Sequence, residues 1–277
     1  MEHPKQILSR YGLQAKKSLG QNFLHDDNIL ANIVAAATVE PGDQVLEIGP
    51  GLGALTHHLS EVVARVIAVE LDQRLLPVLE AQLGGRPNVT IVHGNILELD
   101  PQTWFGEKPY KVVANVPYYI TGAILEHLLS GKGKPQMIVV TVQKEVAERI
   151  TAQPGDMTLL AVSVQLYGDV QVAGEIRAGA FWPRPDVDSA ILRIELKTQP
   201  PLAPSEEKGF FRLVRTGFNQ KRKQLQKNLR ALGLERKEIL DLLRSAGIAP
   251  QRRAETLSIE EWLGLYEEMR QVEELHS

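Results

Sequence analysis

Gln44-Val-Leu-Glu-Ile-Gly-Pro-Gly-Leu-Gly53 decides the fold. Its first five residues form a short, largely apolar run of the kind that makes a buried strand. Glycines follow at 49, 51 and 53, and the residues from there to about 63 carry helical apolar spacing. Strand, glycine loop and helix in that order make the first half of a βαβ unit. The glycines let the backbone turn sharply and let a ligand approach main-chain atoms with no Cβ in the way. Outward from this stretch the same alternation continues. Residues 28–37 have a helical pattern, ended by Pro41-Gly42, and 65–69 form a second strand. A helix over 72–83 is stopped by Gly84-Gly85, and strands follow at 89–92 and 111–114. A helix over 121–130 and a strand over 136–142 complete the series. Such alternation implies an α/β fold, a parallel sheet with helices on both faces.

The proline-rich segment Lys197-Thr-Gln-Pro-Pro-Leu-Ala-Pro-Ser205 marks a linker, and beyond it apolar positions recur only at helical spacing. The expected division is therefore 1–199 for the α/β domain and 200–277 for a small all-α domain. With 277 residues, 43% hydrophobic and 23% charged, the chain can bury a sizeable core. It has no cysteine, which excludes disulfides, thiolate metal sites and cysteine nucleophiles. Its seven histidines show no metal-binding spacing, so no metal is expected. The N-terminus lacks a long apolar stretch and no run of about 18 apolar residues exists. These features predict a cytoplasmic protein without membrane contact.

Chemistry-bearing residues fall at the ends of successive strands. Glu70 closes the second strand 19 residues after Gly51, where a carboxylate can accept both hydroxyls of a ribose. Gly49-x-Gly51-x-x-Ala54 also satisfies the dinucleotide fingerprint, so the loop alone leaves a nicotinamide enzyme and a methyltransferase both open. Position discriminates between them. Asn95 follows the third strand, where its amide can hydrogen-bond an adenine amine, and Asn115 follows the fourth. Glu47, Glu70, Asn95 and Asn115 line one crevice at the carboxyl edge, a set that fits S-adenosylmethionine, and no second nucleotide-binding half is evident. In Asn115-Val-Pro-Tyr118 the proline ends the strand's hydrogen bonding. Asn115 offers a side-chain carbonyl, Val116 a backbone carbonyl and Tyr118 an aromatic face, which suit an exocyclic adenine amine and its ring.

The chain resembles the family of ribosomal RNA adenine dimethyltransferases that modify small-subunit rRNA. The likeness runs over nearly its whole length. It is carried by Ser18-Leu-Gly-Gln-Asn-Phe-Leu24, the Glu47–Gly53 loop, Glu70, Asn115-Val-Pro-Tyr118, Gln143-Lys-Glu-Val-Ala147 and Phe181-Trp-Pro-Arg-Pro-Asp-Val-Asp-Ser-Ala190. The resemblance implies a Rossmann-like, S-adenosylmethionine-dependent methyltransferase domain whose segment 1–27 folds over the cofactor. It implies cofactor contacts from Asn22, Leu24, Gly49, Glu70, Asn95 and Asn115, and a flipped adenine between Tyr118 and Phe181. Two departures stand out. Asn95 occupies the family's usual aspartate position, and Met157-Thr-Leu-Leu160 replaces a common Tyr-Gly pair after Gln153-Pro-Gly155. An amide oxygen at 95 still accepts from an adenine amine, without the local charge.

Residues 208–230 hold eight Lys or Arg and no acid, in a chain of net charge −3. Within them Lys221, Arg222 and Lys223 resemble the family's basic stretch opening the second domain, which predicts phosphate contacts with RNA. The expected activity is transfer of methyl groups to two adjacent adenosines near the 3′ end of small-subunit (16S) rRNA, on the pre-small ribosomal subunit. A monomer is expected. The alternatives are a 23S rRNA methyltransferase of the macrolide-resistance type and a non-catalytic assembly factor.

Overall fold

A computed structural model of the protein describes residues 2–131 and 133–275. The chain divides into two compact units, one of residues 1–147 and 169–198, the other of 148–168 and 199–277.

The first unit is built on a seven-stranded sheet. Its strands are β2 (Gln44–Ile48), β3 (Arg65–Glu70), β4 (Val89–His93), β5 (Lys111–Ala114), β6 (Met137–Gln143), β7 (Gly168–Ile176) and β9 (Ser189–Leu196), in the order β4-β3-β2-β5-β6-β9-β7. β1 (Phe23–Leu24) and β8 (Phe181–Trp182) form a separate antiparallel pair. The pairs β3–β4, β2–β3, β2–β5 and β5–β6 are all parallel, while β9 runs antiparallel to β6. The all-parallel sheet implied by the sequence thus holds for five strands. β9 departs because the chain passes through two α-helices and the strands β7 and β8 before it, so that β6 and β9 are not joined by a single crossover helix.

Burial shows that both sheet faces are covered. Val45, Val66, Val113, Val139 and Ile191 share one cluster with Leu30 and Ile33 of α2 (Asp27–Ala36) and Leu55 and Leu59 of α3 (Ala54–Ser60). Side chains alternate across a strand. Leu46, Ile67, Val112, Ile138 and Leu192 therefore point to the opposite face, and each is equally inaccessible to solvent. Local signals set the helix starts. The Asp26 carboxylate accepts the N–H groups of Asn28 and Ile29 at 3.0 and 3.2 Å, capping α2. The helix expected over 72–83 instead opens with a 3₁₀ turn, Gln73–Leu75, before α4 (Leu76–Leu83). α1 (Pro4–Arg10), α5 (Gln102–Phe105) and α6 (Thr121–Ser130) complete this unit's helices, and α7 (Lys144–Ile150) leads out of it.

In the second unit, the sequence boundary at 199/200 misses the excursion 148–168, which belongs with the helices rather than with the sheet. Its α8 (Leu159–Gln165) reads as apolar as a buried strand, so the pattern of residues 159–164 gave no sign of the change of unit. The other helices here include α9 (Pro204–Phe218), α10 (Leu225–Asn228), α11 (Arg236–Ser245) and α12 (Ile259–Leu275). Phe210, Leu213, Leu225, Leu229, Leu243 and Trp262 are fully enclosed and form its apolar interior. Gly217 lets α9 approach the Trp262 ring, since any Cβ there would overlap it.

Candidate active site

Four parallel neighbours, β4, β3, β2 and β5, deliver their carboxyl ends to one edge, and the strand order reverses direction between β2 and β5. Open α/β sheets bind ligands at such a switch point. A cavity of about 300 Å³ opens there, entirely within the first unit. Of the residues expected at the site, Asn22, Leu24, Gly49, Glu70, Asn95, Asn115, Val116 and Tyr118 all line it.

The loop after β2 takes its shape from glycine. Gly49, Gly51 and Gly53 have φ of 69°, 61° and 85°, the left-handed region that other residues enter at a cost of roughly 1–2 kcal/mol. At Gly51 a Cβ would also lie 3.1 Å from the Phe23 ring, so the glycine makes room for the N-terminal segment. The Gly51 N–H donates to Glu70 Oε2 at 3.1 Å, and the Asp72 N–H donates to Glu70 Oε1 at 2.7 Å. Two backbone donors thus fix the Glu70 carboxylate beside the loop, leaving its remaining lone pairs for ligand hydroxyls. Burial holds this carboxyl above its ordinary pKa against those two hydrogen bonds. Burial pushes Glu47 further, up to about 8, and the nearby Glu70 adds to the effect. Glu47 Oε2 is buried and has no hydrogen-bond partner among the described residues.

The N-terminal segment is tied across this edge. Asp72 accepts Gln21 Nε2 at 2.8 Å and Arg74 Nη2 at 2.6 Å, and the Arg74 bonds hold its carboxyl below the usual range. Gln21 Oε1 in turn accepts the Lys16 N–H at 2.7 Å. Leu24 pairs with Phe181 through β1 and β8. Phe181 is not among the residues lining the cavity, although its partner Leu24 is. Its side chain is buried with Leu24, Leu30 and Ile191, and the first two of these line the cavity. An aromatic beside Trp182 carries no sign of which ring turns inward, and here the apolar surface of β1 takes Phe181.

Asn115 and Tyr118 are each held by a buried hydroxyl that the sequence reading missed. Tyr118 shares a 2.5 Å hydrogen bond with Ser189 Oγ at the start of β9. Asn115 Nδ2 donates to the Asn22 carbonyl at 3.3 Å, and its Oδ1 accepts from Thr141 Oγ1 of β6. Asn95 accepts the Leu97 N–H on Oδ1 at 3.2 Å and donates from Nδ2 to Glu98 at 2.9 Å. This leaves the second lone pair of that oxygen for a ligand.

Lys221, Arg222 and Lys223 lie in the second unit, exposed in the turn between α9 and α10. The other five basic residues of 208–230 are exposed too, and among the described residues none of the eight forms an ion pair. Buried Asn228, also missed, shapes this turn. Its Nδ2 donates to the carbonyls of Gly217 at 2.6 Å and Gln220 at 3.2 Å.

The residues fit a nucleoside cofactor. The free lone pairs of Glu70 suit ribose hydroxyls, and the unpartnered oxygen of buried Glu47 leaves a polar group in the cavity wall for a ligand to satisfy. This fold and site define a class, the Rossmann-like S-adenosylmethionine-dependent methyltransferases. Residues 12–271 match the family model described as ribosomal RNA adenine dimethylase, and the chain belongs to that family. Curated relatives named ribosomal RNA small subunit methyltransferase A are similar along almost their full length. The protein of Dehalococcoides mccartyi (strain CBDB1) is 47% identical over 95% of this chain and 91% of its own. That of Moorella thermoacetica is 46% identical over 94% of each. Among solved structures, a dimethyladenosine transferase from Plasmodium falciparum superposes with a TM-score of 0.79 at 26% identity, covering 90% of this chain and 98% of its own. The 23S rRNA methyltransferase ErmE superposes with a TM-score of 0.73 at 28% identity, covering 90% of this chain and all (100%) of its own.

Proposed function

We propose that the protein methylates the N6 amines of two adjacent adenosines near the 3′ end of small-subunit rRNA, giving N6,N6-dimethyladenosines during subunit assembly. The observation that carries this reading is the strand-end segment Asn115-Val-Pro-Tyr118, seated in the same cavity as the glycine loop and Glu70. The names of the relatives sharing almost half of its residues support the small-subunit target.

The N6 lone pair of adenine is delocalised into the ring and is a poor nucleophile. S-adenosylmethionine supplies an electrophilic methyl on a sulfonium. The protein's part is placement. Asn115 Oδ1 and the Val116 carbonyl accept the two N6 hydrogens, drawing the nitrogen toward a tetrahedral shape and aiming its lone pair at the methyl. Positioning of this kind can lower a barrier by up to roughly 7–11 kcal/mol. Tyr118 supplies an aromatic face to the flipped base, a contact worth about 1–3 kcal/mol. Asn22, Leu24, Gly49, Glu70, Asn95 and Asn115 hold the cofactor, with the Glu70 carboxylate on the ribose and Asn95 Oδ1 at the adenine amine. Lys221, Arg222 and Lys223 bind RNA phosphates. The protein acts as a cytoplasmic monomer on the pre-small subunit.

The test is mass spectrometry of rRNA after unmethylated small subunits are incubated with the protein and S-adenosylmethionine. Two methyls on each of two neighbouring adenosines are expected. Methylation of large-subunit rRNA instead would transfer the reading to the macrolide-resistance type, and binding without modification would leave an assembly factor.

A further inference from the structure

β6 reads Met-Ile-Val-Val-Thr-Val-Gln, and Thr141 is the one hydroxyl in its buried stretch, with no exposed surface at all. Valine would fill the same place in the strand without a polar atom. A buried hydroxyl left unpaired costs about 1–3 kcal/mol, so its partner carries the meaning. That partner is Asn115 Oδ1, one residue beyond the end of the adjacent strand β5. The sense of the amide follows from its other end. The Asn22 carbonyl can only accept, so Asn115 must turn Nδ2 toward it, and Oδ1 faces Thr141, whose hydroxyl donates. One lone pair of Oδ1 is then occupied and the other remains free.

We infer that Thr141 is a positioning residue for methyl transfer, its hydroxyl setting the direction in which Asn115 presents Oδ1 to the adenine amine. The inference rests on the role proposed for Asn115. An untethered asparagine amide can rotate about its last bond and offer N–H groups to an amine that itself donates, a pairing of two donors that repels. The Asn22 bond, at 3.3 Å, restrains this rotation from one end of the amide, and the Thr141 hydroxyl restrains it from the other. The Asn22 bond comes from the segment tied across the cavity, whereas Thr141 lies in the sheet. The amide thus has one anchor in a strand interior and one in the cover.

Three variants, Thr141→Val, Thr141→Ser and Asn115→Ala, are compared in single-turnover methyl transfer to unmethylated rRNA, alongside cofactor affinity and melting temperature. Thr141→Val keeps the volume and removes the donor. Its rate constant should fall about tenfold, with rRNA KM and cofactor affinity within twofold of the parent. Thr141→Ser restores the donor and should return the rate to within twofold. A Thr141→Val rate equal to the parent would overturn the inference. So would a defect that serine fails to rescue, or one that appears in KM and melting temperature while the rate stays unchanged. Asn115→Ala separates this from the underlying reading. Near-parental turnover there would sink the role of Asn115, whereas an inactive Asn115→Ala beside a fully active Thr141→Val would sink only the role of Thr141.

Discussion

Glu47 enters the cavity wall as a carboxyl whose surroundings disfavour its charge, and that gives the molecule a pH dependence of definite sign. The folded pKa of about 8 lies above the ordinary 4.5, so between these values the native state binds more protons than the unfolded chain. Stability is then fullest below about pH 4.5 and falls as pH rises toward 8, with the raised Glu70 acting in the same direction. Glu47→Gln removes the largest part of this. Its melting temperature relative to the parent should climb steadily from about pH 5 to about pH 8.5 in thermal scans. A constant offset would refute the assignment. Ser189 illustrates a second residue effect. Removing its hydroxyl frees the Tyr118 ring, so Ser189→Ala and Tyr118→Phe should each raise rRNA KM several-fold. The double variant should be no worse than either single, since both delete one hydrogen bond. Additive effects would show that the two side chains act separately. These two hydroxyls mark the limit of what was legible. Asn115, Glu70, Asn95 and Gly49 were legible as residues of the cavity edge because each lies at or just beyond the end of a recognisable strand. Thr141 and Ser189 sit inside apolar strand patterns, and only the register of β5, β6 and β9 brings them to the site.

Among the elements, the five parallel strands were readable because each is short and largely apolar, and β2, β4 and β5 are closed by glycine or asparagine. What escaped were the parts set by tertiary pairing. β1 and β8 have two residues each, too few for any periodicity, yet their pairing sets Phe181 against Leu24 of the cavity lining. The excursion 148–168 carries no composition shift to mark its change of unit. Asn228 shows how an element's end can be specified from elsewhere. Helix C-termini leave carbonyls without partners. In α9 the Gly217 carbonyl is satisfied by one buried amide from α10, which also reaches the Gln220 carbonyl in the turn that follows. Asn228→Ala should lower the stability of the helical unit by about 1–3 kcal/mol, read as a reduced denaturation midpoint, because it strands the Gly217 carbonyl, whereas Gln220 keeps the Lys223 N–H. It should also loosen the turn that carries Lys221, Arg222 and Lys223 and weaken RNA binding. Unaltered stability would mean that water replaces the amide at no cost.

For the whole molecule, the overall charge conceals the function. A net charge of −3 argues against a polyanionic partner, while eight exposed cations between 208 and 230, none of them ion-paired among the described residues, argue for one. The conflict resolves once range is considered, since at physiological salt a charge is felt over only about 8 Å and a local cluster acts independently of the total. Cations without acidic partners bind phosphate at no cost in broken ion pairs, and each phosphate bound displaces a counterion. Replacing Lys221, Arg222 and Lys223 together by glutamine should therefore weaken rRNA binding at every salt concentration. It should also flatten the plot of log affinity against log salt by about 3 units of slope, one for each phosphate that the variant no longer neutralises. Cofactor affinity, set by residues of the first unit, should not change, which separates the effect from general unfolding. Binding titrations across a range of salt concentrations decide the matter. A slope equal to the parent's would make these three residues an ordinary solvated turn and shift the search for the RNA-binding surface to the remaining five.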